Sequence, residues 1–387
     1  MPGDHSEEVS FARNEQVTSQ NGKNKNKLNM NNSLITTRLQ SILLLFVALF
    51  LTTNCQSQPP LKEVRLDAKH IVYMLDSTAA AHAITYDKRN GYFEKVTLAE
   101  MSIQMKKELG AADTRENFLP AYIEFLKSDV ADYSHAESKF TAEVIEKVFK
   151  TSEAFAPGVF PDTLLLIKTK GRHYGDGVWY TRENCIVIPA NELVSRKTNP
   201  FTTTMFHELF HVYSRLQPKK SAQLYQLIGF EAIGYQNLRM PPQLSERILH
   251  NPDGVDFAQK ISLKQSDGTV KQAVPVIYAN KTGYKTGNDE FFGYVEFNLF
   301  EINQNADGAW QILTREDGFT STLSLDSQPD FFAQIRDNTG YIIHPDEVLA
   351  DNFSFVMVRQ KSPALTEKFS AAGKQLLTEI EKVLKGK

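Results

Sequence analysis

Apolar residues along this chain fall into three kinds of run. Short unbroken ones, Ile71 to Met74, Leu164 to Ile167 and Cys185 to Ile188, have the length and branched-chain content of buried strands. Others recur at helical spacing. Phe118-Leu119-Tyr122-Ile123-Phe125-Leu126 and Val144-Ile145-Val148-Phe149 predict a helical region over about 98–151, broken by Gly158 and Pro161. Residues 225–233 also read as helical. Residues 274–313 read as strand-rich, with Tyr294-Val295-Glu296-Phe297 and Trp310-Gln311-Ile312-Leu313 set between Gly and Asp turns. The tail over 363–384 predicts an amphipathic helix capped by Ser362, with Leu365, Phe369, Leu376, Leu377, Ile380 and Leu384 on its apolar side. The third kind is a single run of ten apolar residues, Ile42 to Leu51.

One helix carries chemistry. Asn199-Pro200 predicts its start, with Asn as N-cap and Pro in the first turn, and Pro218 closes it. At 100° per residue, Thr204, His207, Glu208, His211 and Arg215 fall in one arc. The rest of the circumference is largely Phe201, Met205, Phe206, Leu209, Phe210, Val212, Tyr213 and Leu216. A helix apolar on most sides is buried, and a buried stripe of His and Glu needs something to satisfy it. His207-Glu208-Leu209-Phe210-His211 reads H-E-x-x-H. Residues four apart share a helix face, so both imidazoles can reach one metal ion, with Glu208 placed to act as general base on water.

His207 to His211 resembles the active-site helix of the zincin metallopeptidases. The resemblance implies one zinc ion (Zn2+) bound by His207 and His211 and water activated by Glu208. Catalytic zinc takes three protein ligands and leaves one position open. The metzincin continuation is absent, because Ser214 and Gln217 stand where its Gly and His would be. Two glutamates compete for the third place. Glu231 follows His211 at the spacing of the compact thermolysin-like arrangement. Glu347 is far along the chain, but Pro345 can start a helix there and Asp351 follows Glu347 by one turn. That pair is similar to the E-x-x-x-D element of gluzincins, in which Glu binds zinc and Asp holds a ligand histidine. Glu231 has Tyr235 at the matching position, so Glu347 is favoured. Tyr341 and His344 are candidate donors to the attacked carbonyl oxygen. The implied fold is α+β and zincin-like, with a sheet-bearing lobe before the H-E-x-x-H helix and a mainly helical lobe after it. The strand Cys185 to Ile188 would be the sheet edge that pairs with extended substrate, or else a plain core strand.

The apolar run Ile42 to Leu51 is too short to span a bilayer, which takes about twenty residues, and suits a secretory signal. Arg38 precedes it, and Thr52-Thr53-Asn54-Cys55 follows, which resembles a bacterial lipoprotein cleavage site with Cys55 lipidated. The expected order is therefore a polar extension (1–37) that is disordered or precedes the true start, a signal (38–55), a tether (56–66), a mainly helical region (67–160) and a zincin-like catalytic region (161–387). Localisation would be the periplasmic or cell-surface side, anchored to the membrane through Cys55. The 387 residues carry a net charge of −3 with both signs interspersed, so no nucleic-acid partner is expected. There are two cysteines. With Cys55 lipidated no disulfide framework remains, and Cys185 reads as a buried, inert thiol. His173, among glycines, reads as surface loop; His70, His82, His135 and His250 carry no ligand assignment. The expected activity is zinc-dependent hydrolysis of a peptide or protein substrate. The alternatives are a non-catalytic surface lipoprotein that binds peptide or glycan, and a zinc hydrolase of a non-peptide bond.

Overall fold

The short apolar runs pair into a sheet whose strands are covered on both faces, which is why they alternate so little between apolar and polar. A computed structural model describes residues 62–386, within a unit running Gln58–Lys387. The predicted signal, Cys55 and the start of the tether lie outside the described residues. The first sheet contains β1 (Glu63–Arg65), β2 (Ile71–Met74), β3 (Val130–Ala131), β4 (Thr163–Thr169), β5 (Tyr180–Arg182) and β6 (Cys185–Pro189), in the order β1-β2-β4-β6-β5, with β3 pairing β4. β2, β4 and β6 are parallel, with Leu165 opposite Cys185, while β5 closes the edge antiparallel to β6. Residues 63–65 of the expected tether are thus a strand. β2 and β4 pair across residue 160, so the segments on either side of that point share one sheet.

Among the described residues eight helices have eight or more residues: α1 (Ser77–Ile84), α2 (Leu98–Met105), α3 (Arg115–Asp129), α4 (His135–Phe155), α5 (Thr198–Leu216), α6 (Pro218–Leu227), α7 (Pro345–Arg359) and α8 (Ala371–Leu384). The pleat of the first sheet divides them. Leu164, Leu166, Ile186 and Ile188 face a core shared with α4 and α5. Ile167, Cys185 and Val187 face a second core under α1 and α3. The architecture is mixed α+β.

The region after α5 is not mainly helical. Between α6 and α7 stands a second six-stranded sheet: β7 (Phe230–Ala232), β8 (Leu238–Arg239), β9 (Gln259–Lys264), β10 (Val270–Ala279), β11 (Val295–Gln304) and β12 (Trp310–Ile312), in the order β7-β9-β10-β11-β12-β8. All its pairings are antiparallel except β12 with β8. This sheet accounts for the long gap between His211 and Glu347.

Several predicted boundaries move. α5 begins at Thr198 with Lys197 as N-cap and no side-chain cap, so Asn199 lies inside the first turn. Residues 225–233 split: α6 ends at Leu227, Gly229 turns the chain at φ +83°, and Phe230–Ala232 is a strand. The tail forms a 3-10 turn at Pro363–Thr366, and α8 starts at Ala371, capped by Ser370, whose hydroxyl accepts from the Gly373 amide. Leu365 stands exposed as a result. None of the described helices is long and apolar enough to cross a membrane.

Candidate metal centre

Met205, Leu209, Phe210 and Val212 are fully buried, so the apolar circumference of α5 fixes its rotation and sends His207, Glu208 and His211 to one side. That side faces α7, which packs antiparallel to α5. Ser354 donates to the Thr203 carbonyl at 3.2 Å, Phe210 meets Phe353 at 5.5 Å between ring centroids, and His211 lies against the first turn of α7. The start of α7 is set by its sequence. Pro345 occupies the first helical position, the His344 ring accepts from the Asp346 amide, and Asp346 and Glu347 fill the first turn, where the helix dipole favours acids.

Three ligand-type atoms converge. Glu347 Oε2 lies 3.0 Å from His207 Nε2 and 3.3 Å from His211 Nε2. The three side chains' ligand atoms all fall within 4.8 Å of one another. Donors about 2.0–2.2 Å from a tetrahedral ion are separated by about 3.3–3.5 Å, so the spacing fits a single small cation. The other ring nitrogens are held by carboxylates: His207 Nδ1 by Asp351 at 2.9 Å and His211 Nδ1 by Asp346 at 2.7 Å. With each Nδ1 held by its own acid, both Nε2 atoms face Glu347, and that of His207 is hydrogen-bonded to it in the metal-free chain. Although close to Glu347, His211 Nε2 is not aligned for a hydrogen bond and is buried without a partner, as is Glu208 Oε2. Two Nε2 atoms crowded onto one carboxylate, one of them unpartnered, with a buried unpartnered acid beside them, are a set that a divalent cation satisfies once it displaces the Nε2 protons.

The electrostatics follow from the same crowding. Burial opposes charge on His207, but the hydrogen bonds with Asp351 and Glu347 outweigh it and carry its pKa to about 10 in the metal-free chain. His211 is raised as well: burial opposes its charge, while Glu347 and Asp253 support it. Glu347 is pushed down despite its burial, chiefly by the charge of His211. For Glu208, burial and then the charge of Asp253 push the carboxyl up to about 8.

The structure brings Glu347, not Glu231, to the two histidines. Glu231 is exposed on β7 and ion-paired with Lys260 at 2.9 Å. Tyr341 stacks on His207, with centroids 6.1 Å apart and planes at 24°. Both nitrogens of His344 are spent, since Nδ1 accepts from the Asp346 amide and Nε2 contacts the Asp256 carbonyl at 3.2 Å. His344 therefore caps α7 rather than offering a free donor at the site. Cys185 to Ile188 is an interior strand paired on both sides, and the edge is β5. Burial pushes the Cys185 thiol up to about 12, as an inert core thiol requires. His173 is buried rather than in a surface loop.

Four contributors had no place in the sequence reading. Asp346 holds His211 and also accepts from Ser214 at 2.6 Å and Tyr225 at 2.8 Å. Asn251 donates to Glu347 Oε1, and Thr339 donates to Asp351. Asp253 accepts from the Thr181 amide at 2.5 Å and its hydroxyl at 2.6 Å, which ties the 251–254 loop to the outer side of β5. Arg215, on the same stripe of α5, donates to the Glu183 carbonyl at 2.9 Å and to the Thr181 hydroxyl at 2.8 Å. Asp346 had a readable signal. Two histidines one turn apart need two acids about one turn apart on an antiparallel partner, and Asp346 and Asp351 flank Glu347 in that way. Asn251 and Asp253 reach the site from a loop, with no periodic signal.

Compared with known family models, curated proteins and solved structures, the chain matches none.

Proposed function

We propose that this chain is an exported, zinc-dependent peptidase of the zincin kind, gluzincin-like in its ligand pattern, with His207, His211 and Glu347 as ligands. The observation that carries the reading is the convergence of two Nε2 atoms on one Glu347 oxygen, with each Nδ1 held by its own carboxylate. Bound there, zinc would supply a Lewis acid that makes water a nucleophile near neutral pH.

The chain's own groups do the rest. Glu208 lies one residue from His207, with a buried oxygen that no protein group engages. Its carboxylate takes the proton of the attacking water and passes it to the leaving amine. Asp346 and Asp351 fix the tautomer and direction of the two imidazoles. Tyr341, stacked on His207 and 38% exposed, would be the donor to the attacked carbonyl oxygen. Lipidation of Cys55 would anchor the enzyme to a membrane on the exported side.

The test is elemental analysis of purified protein, followed by assay of the loaded form on peptide libraries and on matched ester and amide substrates. About one zinc per chain and peptide cleavage are expected. A chain that takes up no divalent ion would remove the reading, and cleavage of esters alone would move it to the non-peptide alternative.

A further inference from the structure

Helix α2 does not turn its first-turn acid back on its own cap. Thr97 caps the helix by accepting from the Glu100 amide at 3.0 Å, and Glu100 stands where a glutamate ordinarily reaches back to the cap's N–H. Glu137 does so at the start of α4, accepting from the Ser134 amide at 2.7 Å. Glu100 instead points inward and is fully buried. One of its oxygens accepts from the Tyr92 hydroxyl at 2.8 Å and from Gln104 at 3.1 Å. The other meets both the His250 amide and the His250 ring Nδ1, each at 3.1 Å. A carboxylate this deep is costly unless its lone pairs are engaged, and two of the four contacts come from one residue of a loop 150 positions away.

That loop leads into the metal centre. Thr97 also donates to the Ile248 carbonyl at 2.9 Å, and the Leu249 amide donates to Ile277 on β10 at 3.1 Å, so residues 248–250 are held on two sides. The next residue is Asn251. Its side-chain oxygen accepts from the Asp253 amide at 3.1 Å, which turns Nδ2 toward Glu347. There Nδ2 is the one partner of Oε1 among the described residues, while Oε2 faces the two histidines. A loop has no ladder of its own, so the aim of Asn251 depends on what grips its neighbours. Resting on the reading of Glu347 as a metal ligand, we propose that Glu100 is a positioning residue for the metal centre. It fixes His250, and through His250 the Asn251 amide that directs the Glu347 carboxylate at the two imidazoles.

A double-mutant cycle on zinc affinity tests this, read by competition with a chromophoric chelator. Asn251→Ala should weaken zinc binding by about 10–100-fold and Glu100→Gln by about tenfold, since an amide has one acceptor oxygen for donors on two sides. Because Glu100 acts through Asn251, the double variant should bind no more weakly than Asn251→Ala alone; independent effects would make it about tenfold weaker. Tyr122→Phe is the control. Its hydroxyl donates to Gln104 at 2.6 Å and meets the Tyr92 hydroxyl at 3.1 Å, in the same buried cluster but away from His250. It should lower Tm and leave zinc affinity within about twofold. His250→Phe keeps a ring packed against Tyr92 and Phe257 but removes Nδ1, and it takes the place of Glu100→Gln should that variant not fold. Its zinc loss should likewise not add to that of Asn251→Ala. In metal-free protein, the Asn251 side-chain amide, assigned by its absence from Asn251→Ala, should be protected from hydrogen exchange in the parent and in Tyr122→Phe. It should exchange at least about tenfold faster in Glu100→Gln and His250→Phe. Effects that multiply in the cycle, or an equal zinc loss in Tyr122→Phe, would make Glu100 merely structural and leave the peptidase reading standing. A chain that takes up no zinc, yet loses Asn251 protection in the Glu100 and His250 variants alone, would keep the positioning and overturn only the metal reading.

Discussion

Two buried histidine clusters in this molecule use the same residue types to opposite ends. In one, His173 Nδ1 meets Asp129 at 2.5 Å and Nε2 meets the Tyr180 hydroxyl at 3.0 Å, with Arg172 on the other oxygen of Asp129 at 2.9 Å. Each polar atom has a complementary partner, so the cluster is closed and holds α3 against the edge strand β5. In the other, Asp346 and Asp351 take the Nδ1 protons, and the two Nε2 atoms are left facing one carboxylate. That cluster closes only by holding extra protons or by admitting a cation. Burial and charge are similar in the two, and what separates them is whether the ring nitrogens are already matched.

The largest effects should come from truncating one imidazole in each cluster. On the proposed function, His207→Ala or His211→Ala should lower zinc affinity by roughly a thousandfold, since each would supply one of three ligands, and should remove both turnover and the zinc-dependent rise in Tm. His173→Ala should leave zinc uptake intact and cost about 2–4 kcal/mol of stability, because Asp129 is left buried with Arg172 alone. Isothermal titration with zinc and thermal melts of the three variants give both readouts. Equal loss of zinc from all three would erase the distinction.

Glu208→Gln sharpens the contrast from within the open cluster. Turnover should fall by about 10²–10⁴-fold with zinc content unchanged. The same variant should be more stable than the parent when metal-free. The Glu208 pKa is about 8 in the folded chain against an ordinary 4.5. The stability from holding that proton is fully present below 4.5 and lost as pH rises through 8, a loss a neutral amide does not suffer. The gain at pH 8 should be on the order of 1–3 kcal/mol, read from denaturant melts in chelator.

How much of this could be read from the chain follows the reach of local pattern. The face of α5 was legible because a 3.6-residue period sorts Met205, Leu209 and Val212 from His207, Glu208 and His211. Glu347 and Asp351 were legible because they lie one turn apart after a proline. The second sheet was visible only as strand-rich sequence, since nothing local states that β7 to β12 would join into one sheet and fill the gap before α7. The expectation of a helical lobe failed there, because it came from likeness rather than from the residues of 259–304. His173 was misread for a related reason: Gly171 and Gly175 signal a turn, but the partner that buries it, Asp129, is on a distant helix. Of the two readings of Cys185 to Ile188, edge or core strand, the structure shows the core strand; the choice was not legible because Tyr180–Arg182, the edge, is too short to announce itself beside the Ile-Val-Ile of β6.

Smaller effects should separate the two acids that aim the imidazoles. Asp346→Asn and Asp351→Asn should each weaken zinc binding by about 10–100-fold. The Asp346 variant should be the worse of the pair and should also lose stability. Asp346 is buried and accepts from Ser214 and Tyr225 as well as holding His211, whereas Asp351 is half-buried and accepts from Thr339. Competition with a chromophoric chelator ranks the affinities, and a larger loss for Asp351→Asn would reverse the order argued here.

The mildest perturbation is pH, and it acts on the empty protein in a way that a bound cation would remove. In the metal-free chain burial works against charge on His207, but Asp351 and Glu347 lift its pKa from 6.5 to about 10. The stability it contributes is therefore fully present below 6.5 and lost as pH rises through 10. A bound cation removes that dependence, because a ligand imidazole has already given up its Nε2 proton. Zinc affinity should then climb between pH 6.5 and 10, by up to about tenfold per unit for each proton displaced. The gap between the Tm values of loaded and empty protein should widen over the same range. Melts at pH 6.5, 8 and 9.5 with zinc buffered by a chelator measure the gap, and titrations in buffers of different ionisation enthalpy count the protons released. A flat affinity across that window would mean that the imidazoles hold no proton for the metal to displace, and the open cluster would then resemble the closed one.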